Sequence, residues 1–274
     1  MKKIALLLTM SILLIAGCNK QKEFKTNTFE GDSCWLQIFN EPFVDEQDTI
    51  GAVLTYSVEW PEKGLLSPSA ERELMFLCFG DSSSADMHSA AQKWLTNMFC
   101  YEDETSEAKP VESIPEGLPS SYLELESTCT LDDNLAVFCV SNDIEPYLAA
   151  HGLHTVDYLT VDRATGEAIH LSDLVTDTNL LCEVIARAIQ DLDVNSDVRE
   201  ALFEEYANVN RMPLPHNFII DSARNSISVL YGLYEIAAYA FGIQEVVLPI
   251  FWLSKHVPLT PYAKRIFGPG CSVE

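Results

Sequence analysis

ISVLYGLYEIAAYAFGIQEVVLPIFW occupies Ile227 to Trp252 and admits two readings, a membrane span or the interior of a folded domain. Between Ile227 and Gln244 only Glu235 carries a charge. The residue types favour strands, because Ile227, Val229, Tyr231, Tyr234, Ile236 and Tyr239 are β-branched or aromatic. Gly232 and Gly242 punctuate the run, and Pro249 limits the strand in "EVVLPI". A spanning helix would hold Glu235 near its midpoint, at about 2.5–3.5 kcal/mol on insertion scales. The expectation is two or three buried strands of an antiparallel sheet packed on helices.

Working outward from this stretch, "NFIID" and a turn at Ala223–Asn225 precede it. Further upstream, Leu180, Leu181, Val184, Ile185, Ala188, Ile189 and Leu192 form an apolar stripe at helical spacing, with Asp177 as a cap. A second helix is expected over about 197–208, carrying Val198, Ala201, Leu202 and Tyr206. Before the helices, "YLELESTCTL" and "LAVFCVSNDI" surround Asp132-Asp133-Asn134 and read as a hairpin. "HTVDYLTVD" and "EAIHLSDLV" around "RATG" read as another. Strands, two helices, then strands argue for an α+β domain over 122–267 rather than for alternating βαβ units.

The acidic stretch 111–121 lacks a period, continues a proline-bearing segment that begins at Tyr101, and reads as a linker. Before it, residues 26–110 read as a smaller α+β domain. "GAVLTYSVEWP" is a strand stopped by Pro61, and Ser67 then Pro68 opens a helix that stops near Gly80. Met87, Ala90, Ala91, Trp94, Leu95, Met98 and Phe99 give a second helical stripe. The fold class expected for the whole is α+β, in two domains, with antiparallel sheets packed against helices.

Residues 1–17 stand apart from the fold. Lys2 and Lys3 precede the apolar run Ile4–Ala16, which has the shape of a secretory leader. Its ending, Ile15-Ala16-Gly17-Cys18, resembles the bacterial lipobox. The resemblance implies cleavage before Cys18 and its lipidation with acyl chains such as palmitate, each buried CH₂ contributing about 0.8 kcal/mol of membrane attachment. Residues 18–25 then read as a tether. Asn19 rather than Asp after the cysteine favours the outer membrane of the cell envelope. Loss of the leader removes two lysines and no acid, so the formal charge moves from −24 to −26. Such a surface repels nucleic acid and anionic membranes and attracts basic partners.

Seven cysteines remain beyond Cys18: Cys34, Cys78, Cys100, Cys129, Cys139, Cys182 and Cys271. An odd number leaves at least one free thiol. Cys129 and Cys139 flank the first hairpin turn and could pair, whereas Cys182 sits on an apolar helix face as a buried thiol.

The 122–267 region resembles the extracellular domain of RsiV-type anti-sigma factors, a domain of unknown function that also accompanies a peptidoglycan deacetylase. "AAHG" (149–152), "YLTVDRATGEAIHLSDLV" (158–175) and "LYEIAAYAFGIQEVVLPIFWL" (233–253) carry the resemblance. "TYSVEWPEKG" and the Trp94 helix resemble, more loosely, the small domain preceding it. Ala149 and Ala238 stand where the family often has glycine or proline. The anti-sigma proteins also have a cytoplasmic segment and a membrane helix with no counterpart here. The resemblance therefore implies a shared extracellular module, one that recognises lysozyme in the anti-sigma family, and not the signalling role.

Enzyme signatures are weak. "TLDDN" (130–134) looks like part of a deacetylase motif, but His151 and His154, three apart at a strand entry, point to opposite faces. His151, Asp157 and His170 would hold a metal only if the fold gathered them. There is no HExxH, GxSxG, SxxK or phosphate-cradling loop, so no catalytic residue, metal or cofactor is assigned. The candidate ligand-binding residues are His151, Tyr234, Glu235 and Tyr239. Glu235 could be an acid of raised pKa, pair with Arg224 or a backbone donor, or face solvent. The expected function is a non-enzymatic, lipid-anchored envelope binding module for a basic protein such as lysozyme. The second reading is a peptidoglycan- or glycan-binding or glycan-modifying protein with His151, Glu235 and tyrosines lining a cleft.

Overall fold

A computed structural model of the 274-residue chain describes residues 23–39, 49–97, 106–147, 149–191, 212–223 and 225–268. Strands β1 (Thr26–Phe39) and β2 (Thr49–Pro61) are followed by helices α1 (Pro68–Phe79) and α2 (Met87–Asn97). Next come β3 (Ser106–Val111), β4 (Ser120–Leu131), β5 (Leu135–Glu145) and β6 (Leu153–Asp162), then α3 (Leu171–Leu174) and α4 (Thr178–Asp191). The chain continues through β7 (Asn217–Asp221), β8 (Ser226–Tyr231), β9 (Gln244–Pro249), α5 (Ile250–His256) and α6 (Pro261–Phe267). The strands form a six-stranded sheet, β3-β1-β2-β4-β5-β6, and a three-stranded sheet, β7-β8-β9. The class is α+β, and β2–β4 is the parallel pair among otherwise antiparallel ladders.

Local chemistry explains several boundaries. Ser67 Oγ accepts the Ala70 N–H at 3.3 Å, Pro68 supplies the first helical residue, and Gly80 closes α1 at φ 65 with its N–H on Phe76 O. Asp132 Oδ1 takes the N–H groups of Asn134 and Leu135 and turns β4 into β5. Asp177 Oδ1 accepts from Asn179 and Leu180 at the start of α4.

Each sheet has its own core. On the six-stranded sheet, Leu54, Val58, Leu125, Phe138 and Val140 meet Leu74 and Met75 of α1 and Trp94 of α2. On the three-stranded sheet, Ile227, Val229, Tyr231, Val246 and Leu248 meet Leu181, Val184, Ile185 and Ala188 of α4, with Ile250 and Leu253 of α5. Burial of each such side chain stabilises by about 1.5–3 kcal/mol.

Three expectations change. The segment 111–121, read as a linker, joins β3 to β4 within one sheet, and β3 begins upstream at Ser106. Among the described strands β3 pairs only with β1, and an edge strand tolerates Pro110 and charge, which is why it lacks a legible period. The second arm of the 154–175 hairpin shrinks to one bridge, Val161↔Ala168. The chain then turns into α3, where the Asp173 carboxylate accepts the His170 N–H. Cys129 faces Phe138 and Cys139 faces Thr128 across the ladder, so the two thiols lie on opposite faces and are free. Cys182 is a buried free thiol. The expected 197–208 helix, Arg224, Leu192, Met98, Phe99, Cys18, Cys100 and Cys271 lie outside the described residues.

The opening stretch resolves into β8, buried along its whole length, β9, and α5. Between the strands runs a loop holding a 3-10 turn at Tyr239–Phe241. Tyr234, at φ 63, cannot continue a strand. No helix among the described residues is long and apolar enough to cross a membrane.

Candidate functional site

The β5–β6 connection and the β8–β9 loop meet at one end of β6. His151 stacks on Tyr239 with ring centroids 3.8 Å apart and planes 20° apart. Tyr234 adds a third ring, 5.7 Å from Tyr239, and its hydroxyl lies 3.5 Å from His151 Nε2. The Gly152 carbonyl holds the pair together: the Tyr239 hydroxyl donates to it at 2.7 Å, and His151 Nδ1 lies 2.9 Å from it. Three of the four candidate residues thus form one aromatic cluster assembled from both sheets.

Tyr234 is 62% accessible and sits on left-handed backbone. A non-glycine residue pays about 1–2 kcal/mol for that conformation. The neighbouring turn fixes it, because Glu235 Oε2 accepts the Gly232 N–H at 2.8 Å. Of the options open to Glu235 in the sequence, a backbone donor is present in the fold, the Gly232 N–H. Asp157, on β6, lies near Glu235. Burial, reinforced by that second carboxylate, raises Asp157 above the usual carboxylate range.

The β6 edge beyond the cluster is closed by a side chain. The Asn217 carboxamide donates to Val156 O at 2.6 Å and accepts from Tyr158 N at 3.0 Å, joining the two sheets. At the far end of β6, buried Asp162 accepts from Arg265 Nη2 at 2.7 Å and from the Tyr262 hydroxyl at 3.0 Å, which docks α6. Asn217 and Asp162 carry no sequence signal beyond being polar residues at strand ends.

The solvent face of the six-stranded sheet is acidic. Across five adjacent strands the register aligns Asp32, Thr55, Glu124, Asp143 and His154, with Glu30, Ser57, Glu126 and Ser141 in the next row. None of these positions is Lys or Arg. His154, the end of the first row and three residues from His151, is 2.7 Å from Asp143. The first acidic row therefore ends on β6, three residues along the chain from His151.

Little here suits covalent or metal chemistry. Among the described residues no group of three His, Cys, Asp or Glu side chains could hold a metal ion, and His151, Asp157 and His170 are not gathered. Burial pushes the Cys78 thiol up to about 12. Burial with Glu59 beside it does the same for Cys129, so neither is a thiolate at neutral pH. The rings and carboxylates can stack, accept hydrogen bonds and attract cations.

Comparison with solved structures places this architecture among known folds. A member of the DUF3298 family from Bacteroides fragilis superposes with a TM-score of 0.54 at 17% identity, over 89% of this chain and 95% of that one. A DUF3298 family protein from Pseudomonas aeruginosa PAO1 aligns with a TM-score of 0.49 at 16% identity, over 88% and 95%. In sequence, the profile of a protein family of unknown function, DUF3298, matches residues 172–250, from α3 to the start of α5. That span includes Tyr234, Glu235 and Tyr239 but not His151. No curated protein matches.

Proposed function

We propose that the chain is a lipid-anchored binding module of the bacterial cell envelope that docks a basic protein, lysozyme being the concrete case. Cys18 carries the lipid, and the outer membrane is the site of attachment. The observation that supports this reading most is the exposed His151–Tyr234–Tyr239 cluster, with Tyr234 held on costly backbone. Strain of that kind gathers at ligand clamps, and exposed tyrosines act as interface anchors. The acidic rows supply the complement to a basic partner. Glu124 and Asp143 stand directly opposite each other, an arrangement that costs stability in isolation and that a cationic partner relieves.

The test is titration of the mature chain with lysozyme at low and high salt. The expected result is binding that weakens steeply with salt and falls at least tenfold in Tyr234→Ala. No binding at low salt overturns the lysozyme reading. The flat exposed rings also suit stacking on sugars, so the same titration with peptidoglycan fragments tests the glycan reading. Fragment binding that is salt-insensitive but abolished by Tyr234→Ala establishes that reading instead.

A further inference from the structure

We infer that Tyr122, on the open face of the six-stranded sheet, is an anchoring subsite that takes an arginine side chain of the basic partner. The inference deepens the proposed function and rests on it for the identity of that partner.

The subsite follows from strand register. Along β4 the side chains alternate, with Ser121, Leu123, Leu125 and Ser127 buried and Tyr122, Glu124 and Glu126 exposed. Leu123 and Leu125 belong to the core beneath α1 and α2, so Tyr122 stands on the face those helices leave open. Its ring is 52% accessible. Directly opposite it on β5 is Glu145, and beside it on β2 is Val53. Glu124 follows two residues along the same strand, and Asp143 stands diagonally across. Opposite side chains in such a ladder are about 5 Å apart, next ones along a strand about 6.6 Å, and diagonal ones about 7–8 Å. Three carboxylates therefore border one exposed ring.

The protein supplies little to answer them. The cation–π contacts among the described residues are Lys255 on Phe251 and Arg265 on Tyr262, both on the C-terminal helices. In the register of the open face the nearest bases are His154 and Lys109. His154 is held by Asp143 at 2.7 Å. Lys109 aligns with Leu36 on the edge strand β3, three strands from β4, or about 14 Å. Arg163 donates to the Asp132 carbonyl at the opposite end of β4. The 112–119 connection, whose Ile114 borders the face at Gly51, adds Glu112 and Glu116 and no base. Residues 40–48 and 98–105 lie outside the described residues, and their sequence holds seven acids and no lysine or arginine.

Arginine is the side chain that uses both halves of this arrangement. A planar guanidinium lies flat on a phenol ring while its N–H groups reach a carboxylate at the ring's edge, here Glu145. The subsite is also continuous with the aromatic cluster. Glu145 Cγ lies 3.7 Å from the place a Cβ on Gly152 would occupy, and the Gly152 carbonyl is the acceptor that holds Tyr239. Glu145 thus stands between Tyr122 and the clustered rings, so that one partner covers both.

The test follows the tyrosine rings of the mature chain by NMR during titration with N-acetyl-arginine amide or N-acetyl-lysine amide. Lysozyme affinity at low salt is measured in parallel. The Tyr122 signal is the one missing from Tyr122→Leu, and it should shift several-fold more readily with the arginine compound than with the lysine compound. Tyr122→Leu keeps apolar bulk and should weaken lysozyme binding about fivefold, whereas Tyr122→Phe should bind as the native chain does. Glu145→Gln should weaken it about threefold. A Tyr122 signal unmoved by the arginine compound overturns the inference, as does an equal response to the two compounds or undiminished lysozyme affinity in Tyr122→Leu. Both positions are exposed, so the variants should keep the native melting curve; if one melts early, the response of the native chain decides. Lysozyme binding with Tyr122 unmoved removes the subsite and leaves the proposed function standing. An arginine response without lysozyme binding keeps the subsite and removes lysozyme as the partner.

Discussion

The two ends of β6 join the same two units by opposite means. At Asp162 the contact is a buried carboxylate that receives a guanidinium and a phenol, with Gly166 N on its backbone carbonyl and Ala164 N on its side chain. At His151 it is a stack of rings open to water, tied down by one carbonyl and a strained tyrosine. Buried polar groups must be satisfied, so the first end is a fastening. The second end is open to water and strained, the pattern on which its proposed docking role rests.

The largest expected effect lies at the fastened end. Gly166 takes φ 75, and an added Cβ would sit 2.4 Å from Leu65 O. Gly166→Ala should cost about 3 kcal/mol in urea denaturation. Asp162→Ala follows at about 2 kcal/mol, because it strands the Ala164 N–H and releases α6. If either change is silent, the contrast between the ends is wrong.

At the His151 end the sign reverses. Tyr234→Gly should stabilise the fold by about 1 kcal/mol by removing the cost of positive φ, while lysozyme binding falls at least tenfold. A destabilised Tyr234→Gly would mean that the tyrosine is a packing residue. The smallest effect belongs to Asp157. Its folded pKa is raised, so the folded state holds its proton more tightly than the unfolded chain. Stability from this group is present below the ordinary carboxylate value and is lost as pH rises from there through the folded value. Asp157→Asn should remove that fall and add about 0.5 kcal/mol at neutral pH, seen as a flatter pH profile of melting temperature.

Local chemistry made much of the fold readable. The Ser67-Pro68 start, the Asp132 turn and the stripe of α4 each act within a few residues. The shared sheet did not show, because β2–β4 pairing joins Gly51 to Ser120 through two helices and an edge strand whose proline broke the pattern. The site was half visible. His151, Tyr234 and Tyr239 stand out as aromatic residues in unusual motifs, but their acceptor on Gly152 lies 87 positions from Tyr239. Asn217 reaches Val156 across 61 positions, and Arg265 reaches Asp162 across 103. Contacts of that range depend on the finished topology and leave no periodic trace.

The Asn217 carboxamide imitates one rung of a ladder. Without it, the outer border of β6 would offer bare amide and carbonyl groups on which strands from other molecules could stack. One side chain thus guards against self-templated aggregation, and its removal should show as turbidity before it shows as unfolding.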